Sequence, residues 1–118
     1  MLAQAEHDKL AAAVLVTTSE ALAQAVQQQL DTQLAALPRK EIAEASLLAN
    51  GRIIVARAME DAMEIANALA PEHLELCVAD PFALLPMAQN AGSIFLGHNT
   101  PEALGDYYAG PNHTLPTG

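Results

Sequence analysis

The apolar positions of the chain follow two spacings, which together predict short strands separated by helices. Four short apolar runs are typical of buried strands: residues 12–16, 53–56, 74–78 and 93–96. The segments between them carry apolar residues at helical spacing. Leu22, Val26, Leu30 and Leu34 form one stripe, and Met59, Ala62, Ala66 and Leu69 form another.

Local signals mark where these helices begin and end. Thr17 and Glu20 have the spacing of a capping box, which predicts the start of the first long helix. Pro38 ends that helix, and a second one from about residue 40 to 48 stops at Asn50-Gly51. Pro71 restricts the residue before it and ends the next helix, while Asp80-Pro81 has the form of a helix start.

Strands that are apolar throughout and alternate with helices indicate a parallel sheet covered on both faces. We therefore predict an α/β fold, a parallel sheet with helices on both faces. Residues 1–118 are expected to form a single domain. Residues 1–97 would supply the helices and strands, and residues 98–118 a loop segment of the active site.

The composition excludes several classes of function. The net charge is −9, and the five basic residues are not clustered, so we expect no nucleic acid and no anionic membrane as partner. No apolar run approaches the roughly 20 residues of a membrane span, and no signal-peptide pattern is present. The single Cys77 cannot form an internal disulfide and is expected to be buried on the third strand. These features predict a cytoplasmic protein.

Two polar pairs could carry chemistry. Gln4 and His7 are three residues apart and would share a helix face, where an oxygen ligand beside an imidazole suits zinc. A solvated helix face explains the same spacing. Glu72 and His73 follow Pro71 between a helix and a strand, and a carboxylate beside an imidazole can divide acid and base work. A polar surface turn is the alternative.

The segment from Gly97 to Gly118 contains four glycines and three prolines but little core material. It concentrates His98, Asp106, Asn112 and His113, and such irregular segments often shape a site. A carboxylate and two imidazoles in one segment are compatible with zinc, whereas a purely structural loop is the other interpretation. No Gly-x-Gly-x-x-Gly is present, so the residues themselves show no dinucleotide-binding turn.

Four segments in order resemble the histidinol dehydrogenase family. They are Leu2-Ala-Gln-Ala-Glu-His7, Pro71-Glu-His-Leu-Glu75, Ala91-Gly-Ser-Ile-Phe-Leu-Gly97 and Gly105-Asp-Tyr-Tyr-Ala-Gly-Pro-Asn-His-Thr-Leu-Pro-Thr117. The resemblance implies that this α/β sheet is an incomplete doubly wound, Rossmann-like one, and that residues 1–118 are a single partial domain. It also implies a cytoplasmic oxidoreductase of histidine biosynthesis, a homodimer that oxidises L-histidinol to L-histidine in two NAD-dependent steps while zinc orients the substrate.

The resemblance also assigns roles to particular residues. Gln4, His7 and Asp106 match zinc ligands, and His113 matches a substrate-contacting position. Glu72 and His73 match the acid–base pair, in which His73 takes the hydroxyl proton and Glu72 activates the water that hydrates the aldehyde. The residues that bind NAD lie mainly in a domain that the resemblance places outside these 118 residues.

The family's chain is much longer, which predicts that these residues are an internal fragment with Met1 in place of a natural residue. A further zinc-ligand His would be missing, so we expect the isolated chain to have no turnover. We also expect it to self-associate, because a partial sheet exposes strand edges and apolar surface. The alternatives are a non-catalytic binding or assembly module built on this fold, or a related dehydrogenase for another amino alcohol.

Overall fold

The structure is a computed structural model that describes residues 1–100, which form short helices and strands in alternation. The described residues divide into two compact units, one of residues 1–62 and one that begins at residue 63. The elements are, in order, α1 (Leu2–Ala5), β1 (Val14–Thr17), α2 (Glu20–Leu34), α3 (Lys40–Asn50), β2 (Arg52–Val55), α4 (Met59–Leu69), β3 (His73–Leu76), α5 (Pro81–Leu84), a 3₁₀ turn (Leu85–Met87) and β4 (Ser93–Leu96).

The first unit is built around a two-stranded parallel sheet. Strands β1 and β2 pair in parallel, with Val14 opposite Arg52 and Thr17 opposite Val55. Helix α2 contacts both strands, and α1 packs against α3. The buried apolar residues of this unit are all alanines: Ala5, Ala13, Ala23, Ala43, Ala56 and Ala62. Such small side chains bury little area, so the hydrophobic stabilisation of this unit is modest.

Helix α2 begins at a different cap from the one the sequence predicts. Ser19 is the N-cap, and its Oγ accepts a hydrogen bond from the backbone N–H of Leu22 at 3.1 Å. Thr17 is the last residue of β1, and its Oγ1 accepts from the N–H of Ser19 at 3.1 Å. The capping box of Thr17 and Glu20 was therefore wrong, because the strand extends through Thr17 and the residue directly before the helix is Ser19.

The apolar stripe of α2 is confirmed as a face, but it is not fully covered. Leu22 is 48% exposed, and Val26, Leu30 and Leu34 are half-buried. Three of these side chains line a groove of about 590 Å³ together with Leu15 of β1. This groove is an apolar surface of the first unit.

The second unit contains another two-stranded parallel sheet. Strands β3 and β4 pair with His73 opposite Ser93 and Leu76 opposite Leu96. The predicted cap of α5 is confirmed, since a carboxylate oxygen of Asp80 accepts from the N–H of Ala83 at 3.2 Å. The two parallel sheets and their helices confirm the predicted α/β class, an incomplete Rossmann-like fold. None of the helices within residues 1–100 has the length and apolar content to cross a bilayer.

Cys77 is exposed, so its expected burial was wrong. The strand ends at Leu76, one residue earlier, and Cys77 falls outside the β3–β4 ladder. The pKa of the Cys77 thiol is raised above its ordinary value. Partial burial is the larger cause, and the nearby negative charge of Glu75 is the smaller one. The Sγ atom lies 4.0 Å from the Glu75 Oε2 atom.

Candidate active site

Glu72 and His73 are placed by a sharp turn at the end of α4. The helix ends at Leu69, and the N–H of Ala70 makes the last helical hydrogen bond, to the carbonyl of Ala66 at 3.1 Å. Ala70 then adopts a φ of +46°, in the left-handed region that non-glycine residues rarely enter. Pro71 follows with its fixed φ, so the chain enters Glu72 and His73 along a defined path.

The backbone of the pair is held by the strand beside it. The N–H of Gly92 donates to the carbonyl of Pro71 at 3.1 Å, and the N–H of Ser93 donates to the carbonyl of Glu72 at 2.9 Å. At the other end of the ladder, the N–H of Gly97 donates to the carbonyl of Leu76 at 3.0 Å. Two of the segments that carry the family resemblance, residues 71–75 and 91–97, therefore lie side by side and fix each other.

The two side chains of the pair have different surroundings. Glu72 is exposed, which leaves its carboxylate open to water. His73 is the first residue of β3 and is half-buried. Its ring centroid lies 6.2 Å from that of Phe95, at an interplanar angle of 48°. An exposed carboxylate next to a partly enclosed imidazole can handle a water molecule and a substrate proton separately.

Asn67 holds the segment that leads into β4, and no motif in the sequence predicted this contact. Its Nδ2 donates to the carbonyl of Met87 at 2.8 Å, and its Oδ1 accepts from the N–H of Gln89 at 2.8 Å. The Nδ2 of Asn90 returns a bond to the carbonyl of Asn67 at 3.1 Å. The signal in the sequence is an asparagine inside α4, since asparagine is a weak helix former that favours bonds to other backbone groups.

Gln4 and His7 lie together in the first unit, on one turn of the chain. Gln4 is on α1 and half-buried, whereas His7 is exposed and lies two residues beyond the end of that helix. The N–H of His7 donates to the carbonyl of Gln4 at 3.2 Å, which keeps both residues on the same turn. An amide oxygen and an imidazole nitrogen are donors that zinc accepts, but two donors alone leave its tetrahedral shell incomplete.

The other candidate residues divide between the far end of the second sheet and the part of the chain that is not described. His98 is exposed and follows Gly97, beyond the carboxyl end of β4. Glu72 and His73 are at the amino end of the same ladder, so a four-residue strand of roughly 13 Å separates the two ends. Asp106 and His113 lie outside the described residues. Within residues 1–100, no three His, Cys, Asp or Glu side chains are grouped to hold a metal ion.

Comparisons with known proteins agree on one family. The family model for histidinol dehydrogenase matches residues 1–118. A histidinol dehydrogenase of Syntrophotalea carbinolica is 59% identical over 118 residues, covering 100% of this chain and 27% of the relative. A histidinol dehydrogenase of Sulfurimonas denitrificans is 54% identical over the same length, again covering 27% of the relative.

A solved structure agrees in fold. The crystal structure of histidinol dehydrogenase from Elizabethkingia anophelis superimposes with a TM-score of 0.93 at 42% identity. The match covers 98% of this chain and 27% of that structure. The chain thus spans about a quarter of the length of the relatives it matches. Since the family match extends from the first residue to the last, the chain belongs to the histidinol dehydrogenase family.

Proposed function

We propose that this chain supplies the acid–base pair Glu72–His73 for the oxidation of L-histidinol to L-histidine by a histidinol dehydrogenase. The observation that carries the proposal is the ladder between residues 71–76 and 92–97. It holds the backbone that carries a carboxylate and an imidazole at adjacent positions, directly after the turn at Ala70. A pair fixed in this way can act on the same substrate carbon in successive steps.

In the first step a ring nitrogen of His73 accepts the proton of the substrate hydroxyl as the carbinol carbon loses hydride to NAD⁺, giving the aldehyde and NADH. The Glu72 carboxylate then takes a proton from water, whose oxygen adds to the aldehyde carbon. His73 returns its proton to the carbonyl oxygen, which gives the hydrate and restores the neutral imidazole. In the second step His73 accepts a hydrate proton as a second hydride passes to another NAD⁺. The sum is one alcohol, one water and two NAD⁺ converted to one carboxylic acid, two NADH and two protons.

Zinc and NAD belong to the proposal as cofactors of the whole enzyme. Gln4, His7 and Asp106 would hold zinc, and the donor set of amide oxygen, imidazole and carboxylate suits that ion. Bound zinc would orient the substrate without changing oxidation state. NAD would be held mainly by residues outside this chain, which spans 27% of its relatives. His113 would contact the substrate.

Because the isolated chain is expected to show no turnover, the proposal is tested in a chimera. The 118 residues replace their counterparts in the Syntrophotalea carbinolica relative, and NADH formation from L-histidinol is followed by absorbance. We expect the chimera to be active. His73→Asn and Glu72→Gln should each lower kcat by about 10²–10⁴-fold, the usual contribution of a positioned acid or base.

Glu64→Gln is the matched control for Glu72→Gln, because Glu64 is also exposed and the same charge is lost. It should leave kcat unchanged. Full activity in both His73→Asn and Glu72→Gln would contradict the proposed roles. Turnover by the isolated chain would contradict the expectation that the rest of the enzyme is required.

The whole enzyme is further proposed to be a cytoplasmic homodimer, and the isolated chain to self-associate. An exposed free thiol at Cys77 suits a reducing compartment. Leu10 is 86% exposed, Leu48 79% and Phe82 71%, and burial of exposed apolar side chains against another copy favours association. Light scattering of the isolated chain should show a mass that rises with concentration. A constant monomer mass would contradict self-association.

A further inference from the structure

Phe95 contacts the His73 ring, and the proposed function gives Phe95 no role. The chain has two phenylalanines, and they differ sharply: Phe82 is 71% exposed, whereas Phe95 is 7% exposed. The centroid separation of 6.2 Å between His73 and Phe95 lies within the range of about 4.5–7 Å that interacting aromatic rings adopt. Their tilt of 48° is between stacked and edge-to-face arrangements.

The register explains why this contact exists. His73 pairs with Ser93, and Phe95 is two residues further along β4, so the side chains of His73, Ser93 and Phe95 emerge on the same face of the sheet. Phe95 is the large neighbour on the diagonal, and burial holds its ring in place.

We propose that Phe95 is a positioning residue that restricts the rotamers of the His73 imidazole. This inference rests on the proposed role of His73 as proton acceptor. A base acts only in the fraction of molecules whose ring faces the substrate proton. An imidazole that turned freely would therefore transfer the proton more slowly. A buried aromatic wall on one side of the ring removes some of those orientations before the substrate binds.

Side-chain couplings of His73, measured by NMR in the 118-residue chain, test the inference without substrate. In the unchanged chain we expect χ1 couplings typical of one rotamer, with nuclear Overhauser contacts between the His73 and Phe95 rings. Phe95→Leu should shift the couplings towards values averaged over several rotamers, and Phe95→Tyr should retain the values of the unchanged chain. Averaged couplings in the unchanged chain would overturn the inference.

Phe82→Leu is the matched control, since it makes the same substitution at the exposed phenylalanine, and it should leave His73 unchanged. Amide exchange at Ser93 and Gly97, both donors of the ladder, separates positioning from general loss of structure. In Phe95→Leu, protected amides together with averaged His73 couplings support positioning. Protected amides with unchanged couplings in Phe95→Leu overturn it.

The two proposals fail separately. An inactive chimera, or a chimera whose kcat is unchanged by His73→Asn, contradicts the proposed function. Neither result bears on the couplings of His73, which are measured in the 118-residue chain. Unchanged couplings in Phe95→Leu contradict positioning by Phe95 and leave the role of His73 as it stands. In the chimera, Phe95→Leu should lower kcat more than it changes KM for histidinol, because ring orientation matters to proton transfer rather than to binding.

Discussion

Replacing Asn67 should destabilise the second unit in proportion to the hydrogen bonds that each substitution removes. The Asn67 Nδ2 donates to the Met87 carbonyl, and the Oδ1 accepts from the N–H groups of Gln89 at 2.8 Å and Asn90 at 3.4 Å. Asn67→Asp keeps an oxygen in place for the two N–H donors. It removes the N–H donor to Met87 and turns a carboxylate oxygen towards that carbonyl.

The magnitudes follow from these contacts. A neutral hydrogen bond contributes about 0.5–1.5 kcal/mol net, and an unsatisfied buried group costs about 1–3 kcal/mol. The contact with Met87 is partly buried, so losing its donor is costly, whereas the two retained bonds gain strength from the carboxylate charge. Asn67→Asp should therefore lower the free energy of unfolding by about 1–2 kcal/mol. Asn67→Ala loses all three bonds, so it should cost about 2–3 kcal/mol. The expected order of stability is wild type, then Asn67→Asp, then Asn67→Ala.

Urea unfolding followed by circular dichroism measures this order, since the chain has no tryptophan for fluorescence. With a slope of about 1–1.5 kcal/mol per molar urea, a loss of about 2 kcal/mol lowers the midpoint by roughly 1.5 M. Gln24→Glu is the matched control, because it makes the same amide-to-carboxylate change at an exposed position of α2. Equal midpoints for Asn67→Ala and Gln24→Glu would refute the reasoning.

Three further substitutions should change the free energy of unfolding, measured in the same assay. Gly51→Ala should destabilise by about 1–3 kcal/mol, because the new Cβ would lie 2.6 Å from the backbone oxygen of Leu47. An unchanged free energy of unfolding would show that the backbone adapts freely. Ser46→Ala should cost about 1–3 kcal/mol, since Ser46 is fully buried and its Oγ donates to the Ala11 carbonyl at 2.8 Å; a neutral result would mean that this carbonyl is satisfied without it. Ala70→Gly should stabilise by about 0.5–1 kcal/mol, as relief of the positive φ exceeds the entropy cost of glycine, and a loss of stability would contradict strain at this turn.

Much of the fold could be predicted from local pattern. The stripe from Leu22 to Leu34 predicted α2, and the apolar run at 93–96 predicted β4 with the bounds observed. The proline at 71 ended α4 as expected, because it acts on the residue directly before it. These features depend on neighbours within a few positions, so the sequence suffices to read them.

The end of α3 shows where a correct local prediction can have a different physical cause. Asn50-Gly51 predicted the stop, and the helix does end at Asn50. Gly51 has φ −67° and ψ 141°, which any residue can adopt, so its backbone conformation does not require glycine. What requires it is the close approach of Leu47, which leaves no space for a Cβ.

The candidate site is determined in part by the sequence and in part by the pairing of strands. The motif at 71–75 made Glu72 and His73 candidates, because the resemblance lies in consecutive residues. The tertiary structure decided that the motif lies against residues 91–97, that Phe95 contacts the His73 ring and that Asn67 anchors the approach to β4. Each of these contacts joins residues about 20 positions apart, and their register follows from strand pairing and packing, which no local spacing along the chain encodes.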